Sequence, residues 1–592
     1  MRITFKNKRL EGFSIGLNIM AGVAVVATFV ALFGFTPPLL SPQILYTIQA
    51  VLLLFFITEK IIRSFNAVSL KELWQLDWYE IPLLLALGIT LIGAGRWFAL
   101  TEAPAVRHFA IGIYLFVEVV IKSCRTVITL AAAGKNPTST LIASFVVLII
   151  SGAGLLMLPK ASADGKSIGF VDALFTSTSA TCVTGLVVKD IGRDFNLMGQ
   201  IVILSLIQLG GLGIVIFGAV FALLLGQALS LRESVAMKDL LSSDTLGRIG
   251  RMITFVFAGT VLIEAAGALL MFNMWDNVPS WTGSTERQWF CSIFHSISAF
   301  CNAGFGLFSD NLISYNRCWG VYVVICPLII LGGLGFGVLF DLFGIAIERV
   351  KRFFAQLFYR QTLFSMEMPR RMHLQTKIVL SVTACLIVFG MLLIVLFENL
   401  TGSTESRSVL DAFFQSVTAR TAGFNTVDIS KLAASSQFAL ILLMFIGGSP
   451  GGTAGGIKTV TLAIIIMAAV ATLRKRDDVE IFDRSVRLII IRRAITVTLL
   501  FVLILFAAAL ALCITERSNN FTMMQIMFET ASALGTVGLS TGITGSLTTA
   551  GKLIIMVVML VGRLGPLTLL ASLTFNLRPA RYHYPEEAVM VG

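Results

Sequence analysis

The residues F-T-S-T-S-A-T-C-V-T-G-L, Phe175 to Leu186, decide how the chain is read, because they return three more times. The second copy, F-H-S-I-S-A-F-C-N-A-G-F, runs from Phe294 to Phe305. The third, F-Q-S-V-T-A-R-T-A-G-F, runs from Phe414 to Phe424 and is one residue shorter. The fourth, F-E-T-A-S-A-L-G-T-V-G-L, runs from Phe528 to Leu539. The closing glycines Gly185, Gly304, Gly423 and Gly538 lie 119, 119 and 115 residues apart. A second landmark follows each glycine. It reads Gly210-Gly211-Leu212-Gly213, then Gly332-Gly333-Leu334-Gly335. In the third copy it expands to Gly447-Gly448-Ser449-Pro450-Gly451-Gly452-Thr453-Ala454-Gly455-Gly456, and in the fourth it is Gly562-Arg563-Leu564-Gly565. Two landmarks in register four times mark an internal repeat.

The solvent for these units is lipid. The 592 residues are 56% hydrophobic and 13% charged, with a mean hydropathy of +0.88, whereas a soluble domain carries about 25% charged residues. Runs long enough to cross a bilayer as helices fall near 13–35, 43–63, 81–100 and 107–124. Eight more follow, near 138–158, 197–226, 249–273, 320–344, 374–397, 436–471, 490–514 and 551–575. No cleavable signal peptide is expected, since no small-residue cleavage site follows the first run.

The net charge of +12 does not point to nucleic acid. Most Lys and Arg fall in loops on one side: Arg2, Lys6, Lys8 and Arg9; Arg349, Lys351, Arg352, Arg370 and Arg371; Arg474, Lys475, Arg476, Arg492 and Arg493. The positive-inside rule then predicts that both termini are cytoplasmic. The eight cysteines form no CxxC pair and the four histidines are scattered, so neither a disulfide framework nor a metal site is expected, and the chain calls for no cofactor.

Each repeat reads as helix, short segment, glycine turn, helix. A segment of about a dozen residues is too short to span, so it must dip in from the extracellular side and return. Non-helical backbone at membrane depth survives only where protein buries it or where it lines a watery path. Every unit has two full crossings, so all four enter in the same orientation, unlike the inverted repeats of many secondary transporters. The expected fold is therefore an all-α polytopic membrane protein: four parallel helix–pore loop–helix repeats around a central pore, after four extra N-terminal transmembrane helices. The boundaries are 1–137 for those helices, then 138–248, 249–373, 374–489 and 490–592 for the repeats.

The loop tips are uncharged and small: Cys182-Val183-Thr184-Gly185, Cys301-Asn302-Ala303-Gly304, Thr421-Ala422-Gly423 and Gly535-Thr536-Val537-Gly538. Backbone carbonyls in such loops can replace the hydration shell of a cation, and glycine leaves the path clear of side chains. These residues form the expected filter. Asp172 and Asp411, early in their short helices, are read as caps of exposed N–H groups. The first two Gly-Gly-Leu-Gly segments read as helix-packing surfaces.

The glycine-rich insert, with Gly447, Gly448, Gly451, Gly452, Gly455 and Gly456 around Pro450, cannot stay helical. It reads as a flexible intramembrane loop below the filter and a gate candidate. Lys458 directly follows it and Arg563 sits mid-helix in the last span. Each charge should face a polar interior, either lining the path as a barrier to cations or pairing with a carboxylate, for which Glu264 and Asp341 are available. Arg420 is expected to hydrogen-bond carbonyls of the short helices, with Glu529 as its candidate partner.

These motifs resemble the Trk/Ktr/HKT superfamily, specifically the membrane subunit of bacterial Trk or Ktr potassium uptake. TSATCVTGL, SAFCNAGF, SVTARTAGFNT, TASALGTVGLSTG, QLGGLG, GGSPGGTAGGIKT and VGRLGP carry the resemblance, over roughly residues 138–575. It implies four units around one pore, potassium as the transported ion and a homodimer. It also implies a gate at Gly447–Lys458 and Arg563. Relatives with serine in the first filter pass sodium, and this chain has Gly185. The resemblance further implies a separate cytoplasmic ring of nucleotide-binding regulatory subunits, for which 349–377, 474–493 and the C-terminal tail are contact candidates. Trk-type subunits carry two extra N-terminal helices and Ktr-type none, so four is a departure. A cation symporter or sodium-permeable relative of the same fold is the alternative. An enzyme is not expected, because no cluster of His, Asp, Glu or Cys converges.

Overall fold

The computed structural model of the chain describes residues 8–35, 37–66, 68–69, 80–97, 103–133, 137–213, 249–275, 284–359, 371–402 and 408–566. Helices dominate. Among the described residues four come first: α1 (Lys8–Phe33), α2 (Pro42–Asn66), α3 (Glu80–Trp97) and α4 (Ala103–Ala133). Stretches of α1 and α2 are long and apolar enough to cross a membrane, while Glu80–Gly93 is a shorter apolar stretch. These helices share a core of their own around Val25, Phe56, Tyr114 and Leu115. The charges inside it meet one another. Lys60 Nζ lies 3.1 Å from Glu118 and 3.3 Å from Glu80, and Lys122 Nζ lies 3.2 Å from Glu118. Unpaired, each such group would cost about 3 kcal/mol or more at membrane depth.

From residue 137 the order long helix, short helix, helix recurs. The first set is α5 (Pro137–Leu156), α6 (Phe170–Thr181) and α7 (Leu197–Leu212). The second is α8 (Ile249–Met271), α9 (Thr285–Phe300), α10 (Cys326–Leu334) and α11 (Phe336–Tyr359). The third is α12 (Leu374–Thr401), α13 (Val409–Thr418), α14 (Ala434–Phe445) and α15 (Thr459–Leu473). A small hairpin, β1 (Glu480–Ile481) with β2 (Arg484–Ser485), leads to the fourth: α16 (Leu488–Thr515), α17 (Met523–Gly535) and α18 (Thr549–Leu564).

Two expectations need correction. The run 320–344 is not one helix: α10 stops at Leu334 and the chain bends by 105° into α11. Gly335 makes the bend at φ +88°, and Gly213 and Gly565 end α7 and α18 at φ +81° and +83°. The last glycine of this landmark is thus a helix stop, because only glycine takes such φ values without strain. Its first glycine is the packing surface. A Cβ on Gly210, Gly332 or Gly562 would strike the carbonyl oxygen of Thr181, Phe300 or Leu534, at the ends of the three short helices α6, α9 and α17. Residues 214–226 and 567–575 of the expected spans lie outside the described residues, as do Arg2, Lys6, Arg370 and the C-terminal tail.

The second correction concerns Asp172 and Asp411. Their helices have Gly169 and Ser408 at the N-cap, neither with a side-chain cap bond. Asp172 instead accepts from Lys552 Nζ at 2.8 Å, tying α6 to α18. Asp411 accepts from Tyr322 at 2.8 Å and Thr426 at 3.1 Å. In the first turn both carboxylates still favour the positive helix end.

Candidate functional site

Each short helix ends the same way. After the last turn, the residue two before the closing glycine takes a positive φ: Val183 at +56°, Asn302 at +58°, Thr421 at +81° and Thr536 at +51°. The glycines follow at +93°, +70°, +81° and +91°. For β-branched Val183, Thr421 and Thr536 this is an unfavourable conformation, of the kind that concentrates at functional sites. Loops one, two and four close by a six-residue hydrogen bond, with Thr184 N donating to Ser179 O, Ala303 N to Ser298 O and Val537 N to Ser532 O at 2.7–2.8 Å. Loop three uses a five-residue closure, Ala422 N to Thr418 O at 2.9 Å. These are the two alternative αL endings of a helix, and they account for the residue missing from the third copy.

A hydroxyl then fastens each turn. Gly185 N and Gly538 N donate to Ser179 Oγ (3.1 Å) and Ser532 Oγ (3.0 Å). Ser298 Oγ and Thr418 Oγ1 donate to Phe305 O (2.8 Å) and Phe424 O (2.6 Å).

The four turns interlock. A Cβ built on Gly185 would meet Ala303 O; on Gly304, Ala422 O; on Gly423, Val537 O; on Gly538, Thr184 O. None would stand further than 2.7 Å from its oxygen. Each glycine therefore nests against the carbonyl preceding the next glycine, and the sequence one, two, three, four closes back on one. Thr184, Ala303, Ala422 and Val537 supply the four carbonyls of that ring, and all are fully buried.

The glycine-rich insert breaks the third set between α14 and α15, as expected, and touches the others. Ser449 N and Thr453 N donate to Gly333 O (2.9 Å) and Gly332 O (3.3 Å), and Phe336 N donates to Gly451 O (3.0 Å). A Cβ on Gly455 would meet Thr536, and one on Gly447 or Gly456 would strike the insert's own backbone. Gly448 and Gly452 lie against Gly333 and Gly332. Arg563 does not pair with Glu264 or Asp341. Its guanidinium donates to Thr453 O, to Gly210 O (2.5 Å) and to Gly211 O (3.2 Å), and so straps the insert to the end of α7. Lys458 Nζ donates to Ala454 O at 2.7 Å. Arg420 reaches Gly447 O at 3.4 Å rather than its own helix, and Glu529 accepts from Ser540 and Thr544 instead. Glu264 accepts from Gln208 at 3.2 Å and faces the Cys301 thiol, and Asp341 accepts from Thr376 at 2.8 Å. The Cys182 side chain is buried in the core that joins set one to sets three and four.

One recurring contact escaped sequence reasoning. Ser177, Ser296 and Ser416, third in their motif copies, donate to Ile149 O, Glu264 O and Ile387 O of the preceding long helix at 2.6–2.8 Å. Gly152, Gly267 and Gly390 make room for these hydroxyls, since a Cβ there would lie 2.5 Å from them or closer. The available signal was the shared serine in F-x-S.

The family model described as TrkH, cation transport protein, matches residues 104–579, and the chain belongs to that family of transport proteins, which are not enzymes. It is a multi-pass membrane protein of the Trk/Ktr superfamily. It is similar to the Ktr system potassium uptake protein B of Bacillus subtilis, 38% identical over 462 residues, which cover 77% of this chain and 97% of that one. It is also similar to the potassium/sodium uptake protein NtpJ of Enterococcus hirae, 35% identical with the same coverage. Among solved structures it resembles the potassium transporter TrkH from Vibrio parahaemolyticus, with a TM-score of 0.57, 18% identity and coverage of 84% of this chain and 96% of that one. The family match begins at the start of α4 and leaves α1 to α3 outside it.

Proposed function

We propose that this chain is the pore-forming subunit of a potassium-uptake system. In this reading the four sets are parallel repeats around one pore, with the boundaries given above. The observation that carries it is the closed ring of glycines and carbonyls. Each of the four loops contributes one backbone oxygen to that ring and none contributes a carboxylate, the composition of a site that coordinates a desolvated monovalent cation. The filter is then Cys182–Gly185, Cys301–Gly304, Thr421–Gly423 and Thr536–Gly538. The hydroxyls of Thr184, Thr421 and Thr536, buried and without a hydrogen-bond partner among the described residues, offer further oxygens. The short helices aim their partly negative C-termini at the same place, which favours a cation.

The insert from Gly447 to Lys458 is the gate, held across the path by the Arg563 strap. Potassium is substrate, not cofactor. The chain works in the cell (inner) membrane with both termini cytoplasmic, as a homodimer in contact with membrane lipid and bound to a cytoplasmic nucleotide-binding ring. The basic segments 349–377 and 474–493 are the contact surfaces for that ring. The four N-terminal helices form a side bundle with its own core. A second reading, uptake of sodium with potassium, draws on the potassium/sodium wording of the Enterococcus relative's name. Cation flux into liposomes holding the purified protein tests both. Entry of potassium and rubidium without sodium or lithium supports the first reading, and sodium entering as fast as potassium replaces it with the second.

A further inference from the structure

Between α8, α10 and α11, at the bend made by Gly335, lies a cavity of about 290 Å³. Phe255, Phe300, Phe336 and Phe343 wall it, with Thr260 and Gly259 on the α8 side. Thr260 is 1% exposed and its hydroxyl has no hydrogen-bond partner among the described residues. Helical threonines usually donate to the carbonyl a turn earlier, as Thr254 on the same helix does to Gly250 O at 3.1 Å; Thr260 does not. Water is a poor occupant, because it needs two to four polar partners and among the described residues this cavity offers one polar side chain. An apolar cavity of ~150 Å³ already holds benzene, so this one has room for a substituted ring. Thr260 lies near the middle of α8, at a depth phospholipid ester groups do not reach. A lipid chain would fill the space and leave the hydroxyl unpaired.

From these features we propose that the cavity is a binding site for a neutral aromatic alcohol or phenol dissolved in the membrane. Its ring packs among the phenylalanines and its hydroxyl pairs with Thr260. The half-exposed Phe343 marks the entrance from lipid. Two walls connect the site to the machinery proposed above, on which the consequence rests. Phe300 ends α9, next to Cys301, and its carbonyl accepts from Thr453 Oγ1 at 3.4 Å. Phe336 donates its N–H to the insert at Gly451. Displacing the insert would pull Phe336 and reshape the cavity, so the ligand binds best with the insert in place. A ligand shifts an equilibrium only by such a difference in affinity, and here it slows uptake.

The test uses benzyl alcohol and toluene as probes, matched in membrane concentration. Thermal melting of the purified protein reads binding, and rubidium uptake into liposomes reads the consequence. Benzyl alcohol should raise the melting temperature and slow uptake, both saturably. Thr260→Val should weaken benzyl alcohol about tenfold, or 1.4 kcal/mol, and leave toluene within about twofold. A Cβ at Gly259 would meet nothing closer than Phe255 Cζ at 4.0 Å, so Gly259→Leu should take up much of the cavity, sharply weaken both effects and keep basal uptake; Gly259→Ala should blunt them less. Equal responses in wild type and Gly259→Leu would mean a bilayer effect and overturn the proposal. Benzyl alcohol undiminished by Thr260→Val would overturn the hydroxyl assignment, and stabilisation without slower uptake would overturn the coupling. Stabilisation that follows the variants in a protein passing no potassium would uphold the site and remove the uptake reading instead.

Discussion

Gly185→Ser tests the ring directly. Two separable costs act at this position. The first is backbone strain: Gly185 sits at φ +93°, and a left-handed conformation costs an L-residue roughly 1–2 kcal/mol. The second is contact. The new Cβ would stand within 2.7 Å of Ala303 O and 3.2 Å from Gly304 Cα, where ~3.5 Å is an ordinary separation. The obstacle is backbone and cannot rotate away, so the Ala303 carbonyl or the whole first loop must shift by roughly 1 Å. One oxygen of four then leaves the common site. Gly542→Ser separates the costs, because Gly542 has φ +92° and nothing within 4 Å of its would-be Cβ. Both variants should lose similar thermal stability through strain. Only Gly185→Ser should lose its preference for potassium over sodium, by about tenfold or more, equivalent to at least ~1.4 kcal/mol. The assay is competitive potassium, rubidium, sodium and lithium flux into liposomes. If Gly185→Ser keeps the wild-type preference, or Gly542→Ser loses it equally, the glycines serve the fold alone and the ring is not the filter.

Further perturbations probe the strap, the ring closure and the loop supports. Arg563→Ala removes the bonds to Thr453, Gly210 and Gly211; charge-assisted bonds contribute roughly 1.5–3 kcal/mol each, so rubidium influx should rise about tenfold or more, and an unchanged influx would remove Arg563 from the gate. Asp172 and Lys552 join α6 to α18 at 2.8 Å with 25% and 14% of their side chains exposed; a double-mutant cycle of Asp172→Asn and Lys552→Met, read by thermal melting, should give a coupling of about 0.5–3 kcal/mol, and additive effects would make the pair incidental. Glu529→Leu leaves Ser540 and Thr544 without their carboxylate and should cost roughly 1–3 kcal/mol for each hydroxyl, with Glu529→Gln milder; equal losses in the two variants would show that side-chain volume, not the carboxylate, matters there.

How much of this could be read from the residues follows from the range of each interaction. The four loops were legible because their helix endings are local: a helix, an αL residue and a glycine within four positions. The break at the insert was legible for the same reason, as Pro450 and its glycines cannot propagate a helix. The bend at Gly335 was hidden because Leu-Gly-Gly-Leu-Gly-Phe is apolar throughout, and hydropathy does not register a sign of φ. Asp411 looked like a cap because its place in the first turn suits capping, whereas its true partner Tyr322 lies 89 residues away. Lys552 and Asp172 are 380 apart. Of the two roles expected for Arg563, a barrier lining the path or a partner to a carboxylate, the second fails because the ends of broken helices offer it bare carbonyls, which carry no residue signature at all.

The same carbonyls explain why four unlike loops are joined in one chain. Only the third set carries the long insert, and only the fourth carries arginine in its Gly-x-Leu-Gly landmark. The insert needs three different neighbours: the end of α10 for Ser449 and Thr453, Thr536 against Gly455, and Arg563 to reach α7. Four identical subunits would supply four inserts and four arginines, whose like charges would repel one another. Covalent linkage lets every loop keep a glycine and a positive-φ residue at the same two positions, while the insert that packs against the loops is specified by residues that occur once. On the proposed assignment of filter and gate the two change separately: substitutions at the glycines should move ion preference, and substitutions at Arg563 should move the rate, with little exchange between the two.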